Sequence, residues 1–163
     1  VPSTAGESCV YLKERERERE RLQTFLPYES FERTAKILDM RRLGKQRVEA
    51  YQIMRVLNGE SGERGGWRNH PAVLMWRDNL PALYEYGRIV CVEWRRRGYV
   101  DNLLDKFPVE PVVYPSWLGD PDFHKSHQAN LVRKLPEHYR KYFPTIDENL
   151  PYVWPITKEQ LNG

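Results

Sequence analysis

The longest run of helix-spaced apolar positions is Leu80, Leu83, Tyr84, Gly87, Val90, Cys91 and Trp94, whose steps of three and one place them all on one face. That face predicts a central core helix. Pro81 suits its first turn, Arg95, Arg96 and Arg97 put positive charge at the negative end of its dipole, and Gly98 supplies a C-cap. Gly87 on the same face predicts a close approach by a neighbouring helix, and Cys91 reads as a small core residue rather than a nucleophile. A second helix starts at Arg41, continues through Val48, Tyr51, Ile53, Met54 and Leu57, and stops at Asn58-Gly59. Before it, Ser30 is placed to cap a short helix from Phe31 to about Asp39.

The second half of the chain repeats the pattern with interruptions. Asp120-Pro121 reads as an N-cap and first helical residue for a helix over Asp122 to Leu135, with Phe123, His127, Leu131 and Leu135 on its apolar row. Pro136 interrupts it, and a short helix with His138, Tyr139 and Tyr142 follows. Prolines 108, 111 and 115 predict an extended connection over Phe107 to Leu118, and Pro151 to Pro155 reads as an extended aromatic tail that ties down the terminus. The resulting expectation is an all-α, single-domain helical bundle over residues 23–157. A charged N-terminal extension over 1–22 and a tail over 158–163 flank it.

Charge and composition refine this picture. The 163 residues are the size of one domain, and 40% hydrophobic with 12% aromatic residues suffices to close a core at that length. Lys plus Arg exceeds Asp plus Glu by only 26 to 23, yet the basic residues are clustered, so a local positive face is expected on a chain of near-neutral balance. Lys13 to Arg21 alternates Glu and Arg with no apolar period to dock it on a core. Cys9 and Cys91 are too few and too far apart for a disulfide framework or a zinc motif, which points to a reducing, cytoplasmic setting. No apolar run approaches the roughly 20 residues that span a bilayer, so no membrane partner is expected, and a monomer is.

The densest chemistry lies at RRLGKQRVE, Arg41 to Glu49. Residues four apart share a helix face, so Arg41, Lys45 and Glu49 form one stripe flanked by Arg42 and Gln46. Such a stripe can grip phosphates and present a carboxylate beside them; its bland alternative is a solvated helix face. Lys45 preceding Glu49 is the weaker order for a helix-stabilising pair. A Trp-Arg-Asn-His-Pro cluster, Trp67 to Pro71, follows a Gly-rich loop. His124 and His127 are an i,i+3 pair, but with no third ligand in view the expectation is no metal, and His127 reads as a core histidine or a phosphate contact.

The segments QTFLPY (Gln23 to Tyr28), RRLGKQRVEA (Arg41 to Ala50), GWRNHPAVLMW (Gly66 to Trp76), EWRRRGY (Glu93 to Tyr99), PSWLGDPDFHKSHQANLVRK (Pro115 to Lys134) and LPYVWP (Leu150 to Pro155) resemble a bacterial family of small proteins grouped with the pyrimidine-dimer DNA glycosylases. A more distant likeness runs to the phage enzyme endonuclease V. The resemblance implies a helical DNA-repair enzyme, without cofactor, that grips damaged double-stranded DNA, flips a base, and cleaves through a Schiff-base amine aided by a carboxylate. It implies Glu49 as the acid-base residue and Arg41, Arg42, Lys45, Arg47, Arg68 and His70 as phosphate or sugar contacts, with Trp67 or Trp76 available to fill the flipped-out gap; the alternative for both is a place in the core, which is the reading preferred for Trp76. In the phage enzyme the amine is the α-amine at the start of the domain. Here 22 residues precede Gln23, so the alternatives are a removed extension, a folded-back Val1, Lys45 in its place, or loss of the lyase step. A non-catalytic nucleic-acid-binding protein or a modified-nucleotide enzyme on the same scaffold is the rival reading, with a purely structural or partner-binding protein third.

Overall fold

Ser30 Oγ accepts the N–H of Arg33 at 3.1 Å and starts the first helix as its position predicts. The computed structural model describes residues 22–60 and 68–156, and among them the chain forms six α-helices and no strand. They are α1 (Phe31–Ile37), α2 (Met40–Leu57), α3 (Pro71–Leu74), α4 (Leu80–Arg96), α5 (Pro121–Lys134) and α6 (Pro136–Tyr139), with a 3-10 turn at Leu104–Lys106. The protein is all-α. None of the described helices is long and apolar enough to cross a membrane. The charged run at Lys13 to Arg21, the Gly-rich loop, Trp67 and the tail over 158–163 lie outside the described residues.

Helix α1 stops two residues earlier than its pattern predicts because Leu38 turns extended and Asp39 becomes the N-cap of α2. The Asp39 carboxylate accepts the N–H of Arg42 at 3.3 Å, and the Tyr139 hydroxyl donates to the same side chain while accepting the Asp39 N–H at 3.0 Å. One aspartate thus fixes the α1–α2 joint and ties it to α6. Gly59, at φ 74°, and Gly98, at φ 94°, close α2 and α4 in the left-handed conformation that the sequence reserves for glycine. Past α4, Arg97 donates to the Ala35 and Lys36 carbonyls at 3.1 Å and so caps the end of α1.

α2 and α4 form the central pair. Their close approach occurs at Gly44, where an added Cβ would lie 2.8 Å from the Trp94 ring. At Gly87 the expectation of a helix neighbour is replaced: the space left by the missing side chain holds the Phe107 ring, 2.5 Å from where a Cβ would sit. The extended segment after α4 therefore packs on the bundle through this ring, while Val109 and Val113 remain exposed. Trp76, Tyr86, Phe123 and Tyr139 are fully buried, and Cys91 is enclosed with its thiol pushed up to about 12, chiefly by burial. Cys91 is a packing residue.

The most unusual element is the stretch Leu22–Pro27, which is buried but not helical. Buried backbone groups need partners, and here side chains of three helices provide them. Gln46 Oε1 accepts the Phe25 N–H at 3.0 Å and Gln46 Nε2 donates to the Gln23 carbonyl at 2.8 Å. Tyr86 Oη lies 3.0 Å from the Phe25 carbonyl and 2.6 Å from Gln46 Oε1. His127 Nδ1 accepts the Leu26 N–H at 3.0 Å, His124 Nδ1 lies 2.7 Å from the Leu26 carbonyl, and Gln128 Nε2 donates to the Pro27 carbonyl at 2.9 Å. Leu22, expected in the extension, is 1% exposed and belongs to this core.

Candidate active site

A further backbone donor of that stretch, the Gln23 N–H, points at Glu49. It donates to Oε2 at 3.0 Å; Gln46 Nε2 donates to the same oxygen at 3.1 Å, and Lys45 Nζ stands 3.7 Å from Oε1. Glu49 is only 4% exposed, whereas the Lys45 side chain is 52% exposed, so the pair joins a dry carboxylate to a wet amine. Burial pushes the Glu49 carboxyl up to about 7, and the donors at Gln23, Lys45 and Gln46 offset only part of that effect. At neutral pH the group is divided between acid and carboxylate, the condition under which one side chain can both give and take a proton.

The surroundings hold this geometry. With its Oε1 occupied by Phe25 and Tyr86, the Gln46 amide is oriented so that its Nε2 faces Gln23 and Glu49. Tyr86 stays a neutral phenol because burial first, and the charge of Glu49 second, raise its pKa. Asn130 Nδ2 donates to Gln23 Oε1 at 3.3 Å from α5. Tyr152, in the C-terminal extended segment, is close enough for Glu49 to add to the burial effect that raises its phenol.

The residues singled out from the sequence fall into separate places. Arg41 is exposed one turn before Lys45 on α2, and Arg42 is held partly buried against Asp39 at 3.3 Å. Arg47 turns away: its Nη2 and Nε lie 2.5 and 2.7 Å from Asp101, whose side chain is fully buried, and its guanidinium sits 5.0 Å over the Trp94 ring. Burial alone would raise the Asp101 pKa, but the Leu104 and Leu103 N–H groups and Arg47 outweigh it and hold the carboxyl low. Arg47 is a fold-bearing ion pair here, not an outward phosphate group. Arg68 is exposed at the edge of the described residues, and His70 caps α3 by accepting the Ala72 N–H at 3.0 Å. Trp67 lies outside the described residues. Trp76 is 0% exposed, donates its indole N–H to Thr24 Oγ1 at 3.1 Å, and is core.

His127 is also fully enclosed, with burial lowering its pKa to about 3, and its place is to accept the Leu26 N–H. That geometry puts it out of reach of a phosphate. His124 uses one ring nitrogen on the Leu26 carbonyl and the other to accept the Gly119 N–H at 2.8 Å. Among the described residues no group of three His, Cys, Asp or Glu side chains is arranged to hold a metal. Two surface clefts of about 480 and 490 Å³ run between α1 and α4, away from Glu49. Glu29, Glu32 and Glu85 line the first, a poor setting for a polyanion.

Sequence reasoning missed the Gln23 backbone nitrogen, Asn130, Tyr86 and Tyr152. Lys45 and Gln46, four and three residues before Glu49, were the partners with a local signal.

The helical domain thus buries the Glu49 carboxyl against the Gln23 backbone, beside the exposed Arg41 and Lys45 of α2. The family described as pyrimidine dimer DNA glycosylase matches residues 22–107, and the chain belongs to that family. The match begins at Leu22 and takes in Gln23, Lys45, Glu49, Arg68, His70 and all of α4. Comparison with curated proteins and with solved structures gives no match.

Proposed function

We propose that the protein is a DNA glycosylase and abasic-site lyase in which Glu49 serves an amine at the position of the Gln23 backbone nitrogen. The observation that supports this most is the 3.0 Å contact between that nitrogen and Glu49 Oε2. In a chain beginning at Gln23 this nitrogen becomes an α-amine, whose unperturbed pKa of roughly 8 leaves a useful neutral fraction near neutral pH. The amine attacks C1′ of the sugar. The bond from C1′ to the base breaks and the base departs with the electron pair, while the amine gives up a proton.

Protonated Glu49 then donates to O4′ as the ring opens, leaving an iminium at C1′. As carboxylate it takes a C2′ proton, the C3′–O bond breaks, the 3′ phosphate leaves, and water releases the amine from the sugar. A carboxyl near pH 7 suits both directions of transfer. Arg41, Arg68 and Lys45 are the exposed cations proposed to meet the backbone of damaged double-stranded DNA, and Arg42 borders them. A second amine has its own support: Lys45 Nζ is 3.7 Å from Glu49 Oε1 and reaches solvent.

Strand nicking of an abasic duplex tests the reading. Expected are nicking by a chain that begins at Gln23 and a loss of at least about 100-fold for Glu49→Gln, in keeping with the usual weight of general acid–base catalysis. Equal nicking by Glu49→Gln contradicts the role of the carboxylate. Salt-sensitive binding with no product from any form favours a non-catalytic DNA-binding protein.

A further inference from the structure

We propose that Trp154 is the surface on which this site stacks a displaced nucleobase, with Tyr152 and His70 holding its indole in place. The inference rests on the DNA chemistry proposed at Glu49. It starts from the C-terminal segment over 151–156, which lies outside the family match and crosses α5 in extended form, pinned where the Val153 N–H donates to Ser126 Oγ at 3.2 Å.

A row of rings leads outward from the carboxylate. Tyr152, which senses the Glu49 charge, lies 4.6 Å from the His127 ring. Trp154 lies 4.6 Å from Tyr152, and the His70 ring meets it edge-on at 6.1 Å. His70 is itself fixed as the cap of α3, next to the exposed Arg68. The row therefore connects the buried acid to the surface beside Arg68.

Trp154 differs from the other described tryptophans. Trp76, Trp94 and Trp117 give their indole N–H groups to Thr24, Val100 and Met75 at 3.1, 3.0 and 3.2 Å. Among the described residues the Trp154 indole N–H has no hydrogen-bond acceptor, while its ring, like those of Trp94 and Trp117, is only partly buried. A tryptophan used for packing buries its face and satisfies its donor; one used for recognition keeps both available. Every base offers a π-face and edge acceptors, which is what a half-open indole can take. Pro151 and Pro155 restrict the backbone on either side, so the ring is oriented before DNA arrives.

The test uses the whole chain and a duplex carrying a tetrahydrofuran abasic analogue, which binds but is not cut. Binding to the wild type is expected to quench part of the tryptophan emission. In Trp154→Phe that change disappears while affinity stays within about threefold, because a phenyl ring still stacks. Trp154→Ala is expected to bind roughly tenfold more weakly or worse with an unchanged melting temperature. Binding by the wild type with no change in emission overturns this inference and leaves the chemistry at Glu49 standing. It is overturned in the same way if Trp154→Ala binds like the wild type, or if Trp154→Phe retains the full emission change. Failure of the wild type to bind the duplex at all overturns the DNA reading together with this inference.

Discussion

Glu49 on α2 and His127 on α5 are buried titratable groups, and burial moves them in opposite directions on the pH scale, to about 7 and about 3. The Glu49 carboxyl is raised above its ordinary 4.5, so the folded chain holds an extra proton between pH 4.5 and about 7, and stability falls as pH rises through that window. His127 is depressed from 6.5, so the unfolded chain holds the extra proton below that pH, and stability falls as pH drops toward about 3. Glu49→Gln, neutral at all pH, is expected to gain about 2–3 kcal/mol over the wild type at pH 8 and to lose that advantage by pH 4.5. Urea unfolding at the two pH values checks it; an advantage independent of pH means that folding leaves the Glu49 pKa unshifted. A variant more stable yet without nicking activity would mark a carboxyl kept for chemistry. Arg47 gives the opposite case. Removing it leaves the buried Asp101 carboxylate with the Leu103 and Leu104 N–H groups and the more exposed Arg95, so Arg47→Ala is expected to destabilise by about 3 kcal/mol, the lower end for a broken buried pair.

At the level of elements, two glycines govern how the helices and segments meet. Ala is the better helix former by about 1 kcal/mol, so Gly87→Ala would stabilise α4 if nothing stood against it. The Phe107 ring does, 2.5 Å from the new methyl, and the expected outcome is a net loss of about 1–3 kcal/mol in chemical unfolding. A gain would mean that the 107 segment is not packed there. The same position shows what the sequence conveyed. The apolar period of Leu80 to Trp94, the caps at Ser30 and Asp120, and the stops at Gly59 and Gly98 are local signals, and α1, α2, α4 and α5 follow them to within a few residues. That Gly87 makes room needed only its small size among apolar residues; that a phenylalanine twenty residues on takes the room is a tertiary fact with no local period. Leu22–Pro27 is legible for the same reason only in part. Its apolar character suggests burial, but its backbone partners Gln46, Tyr86, His124 and His127 arrive from far along the chain.

Over the whole molecule, the Arg41 to Glu49 stripe proves two-sided: Arg41 and Lys45 face water, while Gln46, Arg47 and Glu49 face the protein. Helical spacing defines the stripe, but which edge is buried depends on what packs there. DNA binding is therefore expected to lose about one unit of salt slope in Arg41→Ala and none in Arg47→Ala at a temperature where both are folded. Equal slopes for Arg41→Ala and the wild type would place the phosphate track elsewhere. The deeper claim concerns the start of the domain, where the family match and the Glu49 contact coincide at Leu22-Gln23. Its most direct test is borohydride trapping on an abasic duplex with peptide mapping of the adduct, using the full 163-residue chain and one that begins at Gln23. The expected result is an adduct on the Gln23 amine of the shorter chain, lost in Glu49→Gln. An adduct mapped to Lys45 in both chains, or no adduct in either, would contradict that claim.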